Sequence, residues 1–169
     1  MGGWSSPVKT PPLQGGYREF ESLPAHHYGD SMRTEHASDV KDIIRDLVDV
    51  LGLEHVDVDR IFCYRSFNAK TDAVARIWSL AKLWQKALDV KAHYIIEVVS
   101  ENFDHLDQDE KEKTMLHEIL HIPKNFSGSL LNHTMVHFDG KGGHKKFKIN
   151  RTTVNKIYKD YMRARDPVR

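Results

Sequence analysis

Three residues in the stretch Thr114–Pro123 (TMLHEILHIP) have the types and spacing to do chemistry: His117, Glu118 and His121. A helix advances about 100° per residue, so positions i and i+4 share a face and both imidazoles can hold one metal ion from the same side. Glu118, offset by one position, can reach a water held beside that ion. The H-E-x-x-H pattern is that of zinc peptidases, with the glutamate as general base. Five residues with three fixed recur by chance, and the bland alternative is an exposed helix with two idle histidines.

The surrounding residues favour the metal site. Asp107 and Glu110 have the spacing of a helix cap with a capping box. Met115, Leu116, Ile119 and Leu120 form an apolar stripe, which would bury the helix in a core. Pro123 would stop it just past the second histidine.

A catalytic zinc usually has three protein ligands and one open position. No glutamate follows His121, and the downstream carboxylates are Asp139, Asp160 and Asp166. A third histidine six residues on is excluded because that position is Ser127. Later histidines remain: His133, His137 and His144. Gly128 allows a chain reversal that could bring His133 back over the helix, which makes it the first choice. His137 and His144 stay open as alternatives, and each could equally be an exposed loop histidine.

The other elements have to position these groups. At 169 residues, 40% hydrophobic and 29% charged, the chain has the size and make-up of one soluble globular domain. Its 25 basic and 24 acidic side chains nearly cancel, so no overall field points to nucleic acid or a membrane. The single cysteine, Cys63, excludes an internal disulfide and reads as a small buried hydrophobe. With no secretion signal and no span of ~20 apolar residues, the expected location is the cytoplasm.

Residues 1–37, rich in Gly, Pro and Ser, read as a flexible leader, with the domain occupying 38–169. Ser38 opens a helix with Val40, Ile43, Ile44, Leu47 and Val48 inward, capped by Gly52. His55–Ser66 alternates as a strand, and Ala73–Leu88 has the apolar periodicity of a helix, with Trp78 and Trp84 in the core. His93–Ser100 is the strongest strand, since β-branched residues dominate it, and it could offer an edge to an extended peptide. The stretch after Pro123 reads as irregular at first, with a short helical turn later. Asp139–Gly143 (DGKGG) reads as a flexible turn, and Thr152–Met162 as a final amphipathic helix. The expected fold class is α+β: a small sheet, packed helices, and the active helix beneath the sheet edge.

The segment YIIEVVSENFDHLDQDEKEKTMLHEILHIPKNFSGSLLNH, with CYRS and ARIWSLAKLWQKAL upstream, resembles the metallopeptidase family of archaea and phages, a zincin-like group. HEILHIP followed by FSG and then a histidine is far more specific than H-E-x-x-H alone. The chain also resembles, more distantly, SprT-like metalloproteases. The likeness spans about residues 38–163. It implies a zincin-like peptidase fold, a Zn²⁺ held by His117, His121 and His133, and Glu118 as the catalytic base.

The expected function is therefore zinc-dependent hydrolysis of a peptide or protein substrate, with no membrane partner. Tyr158, Tyr161, His137, His144 and Arg65 are candidates to stabilise the oxyanion. The alternatives are a non-catalytic zinc-binding protein, whose site would close with a fourth ligand, and a nucleic-acid-associated protein. The second rests on residues 141–169, where ten Lys and Arg face only Asp160 and Asp166. The same run could simply balance the acidic stretch at 97–112.

Overall fold

The computed structural model describes residues 33–138 and 144–166, with the backbone alone over 135–138 and 144–147. Residues 1–32 and the expected turn Asp139–Gly143 lie outside the described residues.

A mixed sheet of four strands takes the order β1-β2-β4-β3. These are β1 (Arg33–His36), β2 (Ile61–Phe67), β3 (Ala75–Ser79) and β4 (Tyr94–Val99). The β2–β4 pair is parallel, and β1 and β3 are antiparallel edges. Three helices, α1 (Ser38–Val50), α4 (Gln108–Ile119) and α5 (Arg151–Arg165), pack on one another, and α1 and α4 also pack on the sheet's inner face. Short helices α2 (Lys82–Leu88) and α3 (Ser100–Phe103) link the strands, and a hairpin of β5 (Thr134–Phe138) and β6 (His144–Lys148) precedes α5. The architecture is α+β.

The core follows from the patterns. β4 turns Tyr94, Ile96 and Val98 inward with no exposure, facing Ile61 and Cys63 of β2. Val40, Ile44 and Leu47 of α1 and Met115 and Leu116 of α4 close over them, all fully buried. Gly52, at φ +61, ends α1: Leu53 N–H reaches back to the Val48 carbonyl at 2.9 Å, a helix-closing turn that glycine adopts without strain. Asn150 caps α5 by accepting from Thr153 N–H at 3.0 Å.

One buried polar cluster ties α5 to α4. Glu112, 3% exposed, accepts from Tyr158 Oη at 2.7 Å, from Arg165 at 2.9 Å and from Gln108 at 2.9 Å. Satisfying a buried carboxylate in this way avoids the penalty of an unpaired charge.

Five sequence expectations need correction. Residues 73–88 are not one helix: they include β3, a two-residue connection at Leu80–Ala81, and α2. The unpaired side of β4 supplies β3 with ladder partners, Ala75 opposite Val98 and Ile77 opposite Ile96, and that pairing overrides the helical period. Trp78 and Trp84 are consequently 50% and 61% exposed rather than core. The expected strand from His55 begins only at Ile61, after a 3₁₀ turn over Val58–Arg60. The strongest strand, β4, is interior and offers no edge. Finally, β1 lies at the end of the segment expected to be a leader. Its four exposed residues carry no apolar alternation, so no pattern marked it.

Leu116 sits at the centre of this packing, with no exposure. Leu116→Ala is expected to cost about 3 kcal/mol, read as a lower urea midpoint at unchanged slope.

Candidate metal centre

Helix α4 begins as its sequence implies: Asp107 Oδ1 accepts from Glu110 N–H at 2.8 Å. The Glu110 side chain pairs with Lys113 at 2.9 Å instead of closing the expected capping box. The helix then buries Met115, Leu116 and Ile119, which fixes its rotation and turns His117 and Glu118 towards β3. A tight final turn, His121 N–H to the Glu118 carbonyl at 3.2 Å, places His121 just past the helix end.

The loop after Pro123 folds back over that end. Phe126 takes a positive φ of 45°, held by packing edge-on against Tyr94 at 4.8 Å with the Arg60 guanidinium on its ring. Gly128, at φ +77, passes so close to its neighbours that an added Cβ would stand 2.6 Å from the Leu80 carbonyl. Its N–H donates to Tyr94 Oη at 2.9 Å, and that hydroxyl donates to the Ser129 carbonyl at 3.0 Å. The reversal expected at Gly128 is thus present and pinned from beneath.

Leu131 completes it. Its N–H donates to the His121 carbonyl at 2.8 Å, while its own carbonyl takes the proton of His121 Nδ1 at 2.6 Å. That bond fixes the tautomer and leaves Nε2 as the free lone pair. His133 follows two residues on, its carbonyl accepting from Ile149 N–H at 2.8 Å.

His117, His121 and His133 are brought together, each offering a nitrogen within 4.8 Å of the others. The His117 and His121 Nε2 atoms lie 3.3 Å apart. Burial, and then the neighbouring His121 and His133, push the His117 pKa down to about 4. Burial likewise lowers that of His121. Both rings are therefore neutral near pH 7, the form that binds metal. A cluster of imidazoles with a carbonyl behind one of them fits a borderline-soft divalent cation. Among the described residues no fourth His, Cys, Asp or Glu joins the group.

Glu118 is 8% exposed and lines the same cleft as the three histidines. Burial raises its carboxyl to about 7, and a backbone contact with Ile77 of β3 offsets this only in part. The cleft, of about 430 Å³, runs between Ala75 and Ile77 of β3 and the loop Leu130–His133. A second cleft on the other side of His117 and Glu118 is lined by Val74, Ala75, Lys113, Arg151 and Asn155. The two share His117, Glu118 and Ala75, the last on the edge strand.

His137 and His144 lie in β5 and β6, and their side chains are outside the described residues. The remaining oxyanion candidates are engaged elsewhere: Tyr158 with Glu112 and Asp109, Tyr161 with Asp46, and Arg65 with Asp39 and Asp104. Arg151 and Asn155 were missed because nothing in the sequence links the start of α5 to His117. Cys63 is buried, its thiol pushed up to about 11, so it is an unreactive packing group.

The raised Glu118 carboxyl makes stability pH-dependent in metal-free protein. A folded-state pKa above the unfolded value contributes stability below about 4.5, and that contribution is lost as pH rises through about 7. Glu118→Gln should therefore match wild type near pH 4 and exceed it by roughly 3 kcal/mol above pH 8, measured by urea unfolding with chelator present. The opposing titration of His117 is common to both proteins and drops out of the difference.

A family model described as "Putative phage metallopeptidase" matches residues 32–167. No curated protein and no solved structure matches the chain. The match runs from just before β1 to past the end of α5, taking in the whole sheet and all three histidines, and the chain belongs to this phage metallopeptidase family.

Proposed function

We propose that the protein is a zinc-dependent peptidase of zincin-like architecture, with His117, His121 and His133 as metal ligands and Glu118 as general base. The observation that carries this reading is the juxtaposition of three imidazole nitrogens within 4.8 Å of one another with a buried carboxyl in the same cleft. A purely structural zinc site needs no base and is closed by four ligands.

Zinc held by His117, His121 and His133 would supply Lewis acidity at the site. Glu118, the carboxyl in the same cleft, takes a proton from the attacking water and hands it to the leaving amine. His121 is kept in one tautomer by the Leu131 carbonyl, and His133 is carried by a loop anchored at both ends. Arg151 and Asn155, in the adjoining cleft, are placed to meet charge developing on the substrate.

The substrate is an extended peptide lying along β3. This strand is the sheet edge beside the histidines, and its Ala75 and Ile77 line the cleft. A free edge binds backbone by strand addition, with side chains of the guest alternating in and out. Because main-chain bonds are sequence-blind, specificity would come from the walls of the two clefts.

Elemental analysis should find about one zinc per chain, lost in His117→Ala and His133→Ala and retained in His144→Ala. Zinc that survives without His133, or that requires His144, would remove the open three-histidine site. Glu118→Gln should keep its zinc and lose roughly 10²- to 10⁴-fold in kcat on a mixed fluorogenic peptide library. Full activity in that variant would rule out Glu118 as the base; a zinc-loaded wild type with no hydrolysis would favour a non-catalytic role.

A further inference from the structure

The two clefts that share His117, Glu118 and Ala75 differ in charge. The one bounded by Leu130–His133 has no lysine or arginine in its walls and offers Ile77, Leu130, Leu131 and Asn132 beside the histidines. The other, of about 390 Å³, lies where α4, the start of α5 and β3 come together, and it is lined by Lys113 and Arg151. Lys113 is committed: its ammonium pairs with Glu110 at 2.9 Å and lies over the Tyr158 ring at 5.0 Å from the centroid. Arg151 is not. It is exposed, and among the described residues it makes no hydrogen bond, ion pair or ring contact. Stability does not account for it either. Arg151 is the first residue of α5, where the helix dipole disfavours a cation, and Asn150 already supplies the cap. Asn155 stands one turn on, on the same face, half-buried in the cleft wall with its amide equally unengaged among the described residues.

We propose that this cleft is a carboxylate subsite: it takes an acidic group carried by the substrate on one side of the bond that is cut, with Arg151 as its cation and Asn155 as a second donor. The proposal rests on the peptidase reading and adds the class of peptide the site selects. A guanidinium presents parallel N–H donors that match a planar carboxylate, and the neighbouring amide adds another. A peptide lying along β3 passes both clefts, because each includes Ala75 of that edge strand. Its side chains on one side of the scissile bond then meet Ile77, Leu130 and Leu131, and those on the other side meet Arg151. The carboxylate has two possible sources, an Asp or Glu side chain and the peptide's own C-terminus, and the chemistry of the cleft is the same for both.

The test uses the zinc-loaded full chain and quenched fluorogenic peptides in matched sets. One set has blocked termini and carries Glu, Gln or Lys at each position around the cut bond. A second has only neutral side chains and ends in a free or an amidated C-terminus. Wild type is expected to favour the carboxylate member of one set by about tenfold in kcat/KM, the scale of one charge-assisted pair in a half-open site. The set that shows it names the source. Arg151→Glu should reverse the ranking in favour of lysine or the amidated end, and Arg151→Lys should keep it in weaker form. Arg151 is exposed, so these variants should show a urea midpoint no lower than wild type. A ranking untouched by Arg151→Glu would overturn the proposal. So would an equal loss on every peptide, which would make Arg151 a partner of charge developing in the reaction.

Binding separates this proposal from the reading beneath it. Labelled versions of the same peptides are titrated, by fluorescence anisotropy, into zinc-loaded Glu118→Gln with and without Arg151→Glu. Selective binding of the carboxylate peptide that Arg151→Glu abolishes, with no hydrolysis by wild type, would keep the subsite and remove the peptidase. Equal binding of all peptides would overturn the subsite, whatever wild type hydrolyses.

Discussion

The reciprocal bond between His121 and Leu131 is the constraint on which the candidate site depends. One residue's carbonyl takes the other's N–H, and the other's carbonyl takes the imidazole proton, at 2.8 and 2.6 Å. This double link clamps the loop to the end of α4, orients the ring, and delivers the chain to His133. Without it, the third histidine would sit on a free loop and pay the ordering entropy whenever a metal bound. Tyr94 and Gln85 brace the same loop at Ser127–Ser129, so its position is inherited from the centre of the sheet and from α2.

Burial has opposite consequences for the two kinds of group gathered here. It keeps His117 and His121 unprotonated, so that they present lone pairs, and it favours the protonated form of Glu118. Both follow from one cause, a low-polarity wall made by β3 on one side and by Leu130 and Leu131 on the other. The contrast with Glu112 is instructive. That carboxylate is as deeply buried but satisfied by Tyr158, Arg165 and Gln108, and its role is to hold helices together. An arginine of the basic C-terminal run is used in that contact, and Arg163 pairs with Asp160.

The sequence made α4 legible because each of its signals is local: the Asp107 cap, the apolar stripe and the proline stop. The same holds for α1, with its Gly52 turn, and for α5. Convergence of His133 on the helix was foreseeable from Gly128, since a left-handed position advertises a reversal. What stayed hidden was set by distant partners. β3 became a strand only because β4 had a free side, and the tryptophans that looked like core residues of a helix lie on an open face. β1 is too short and too polar to announce itself. Arg151 and Asn155 join the cleft through a long excursion of the chain that no spacing encodes.

The state of Cys63 bears on how the protein can be handled. The only thiol in the chain lies under the sheet, held in its protonated form. Storage therefore requires no thiol reductant, and reductants of that kind are themselves zinc chelators. Metal can be stripped and restored under air, with the stoichiometry read against imidazole ligands alone. Thiol-directed reagents can likewise be used freely on introduced cysteines, with the native background silent.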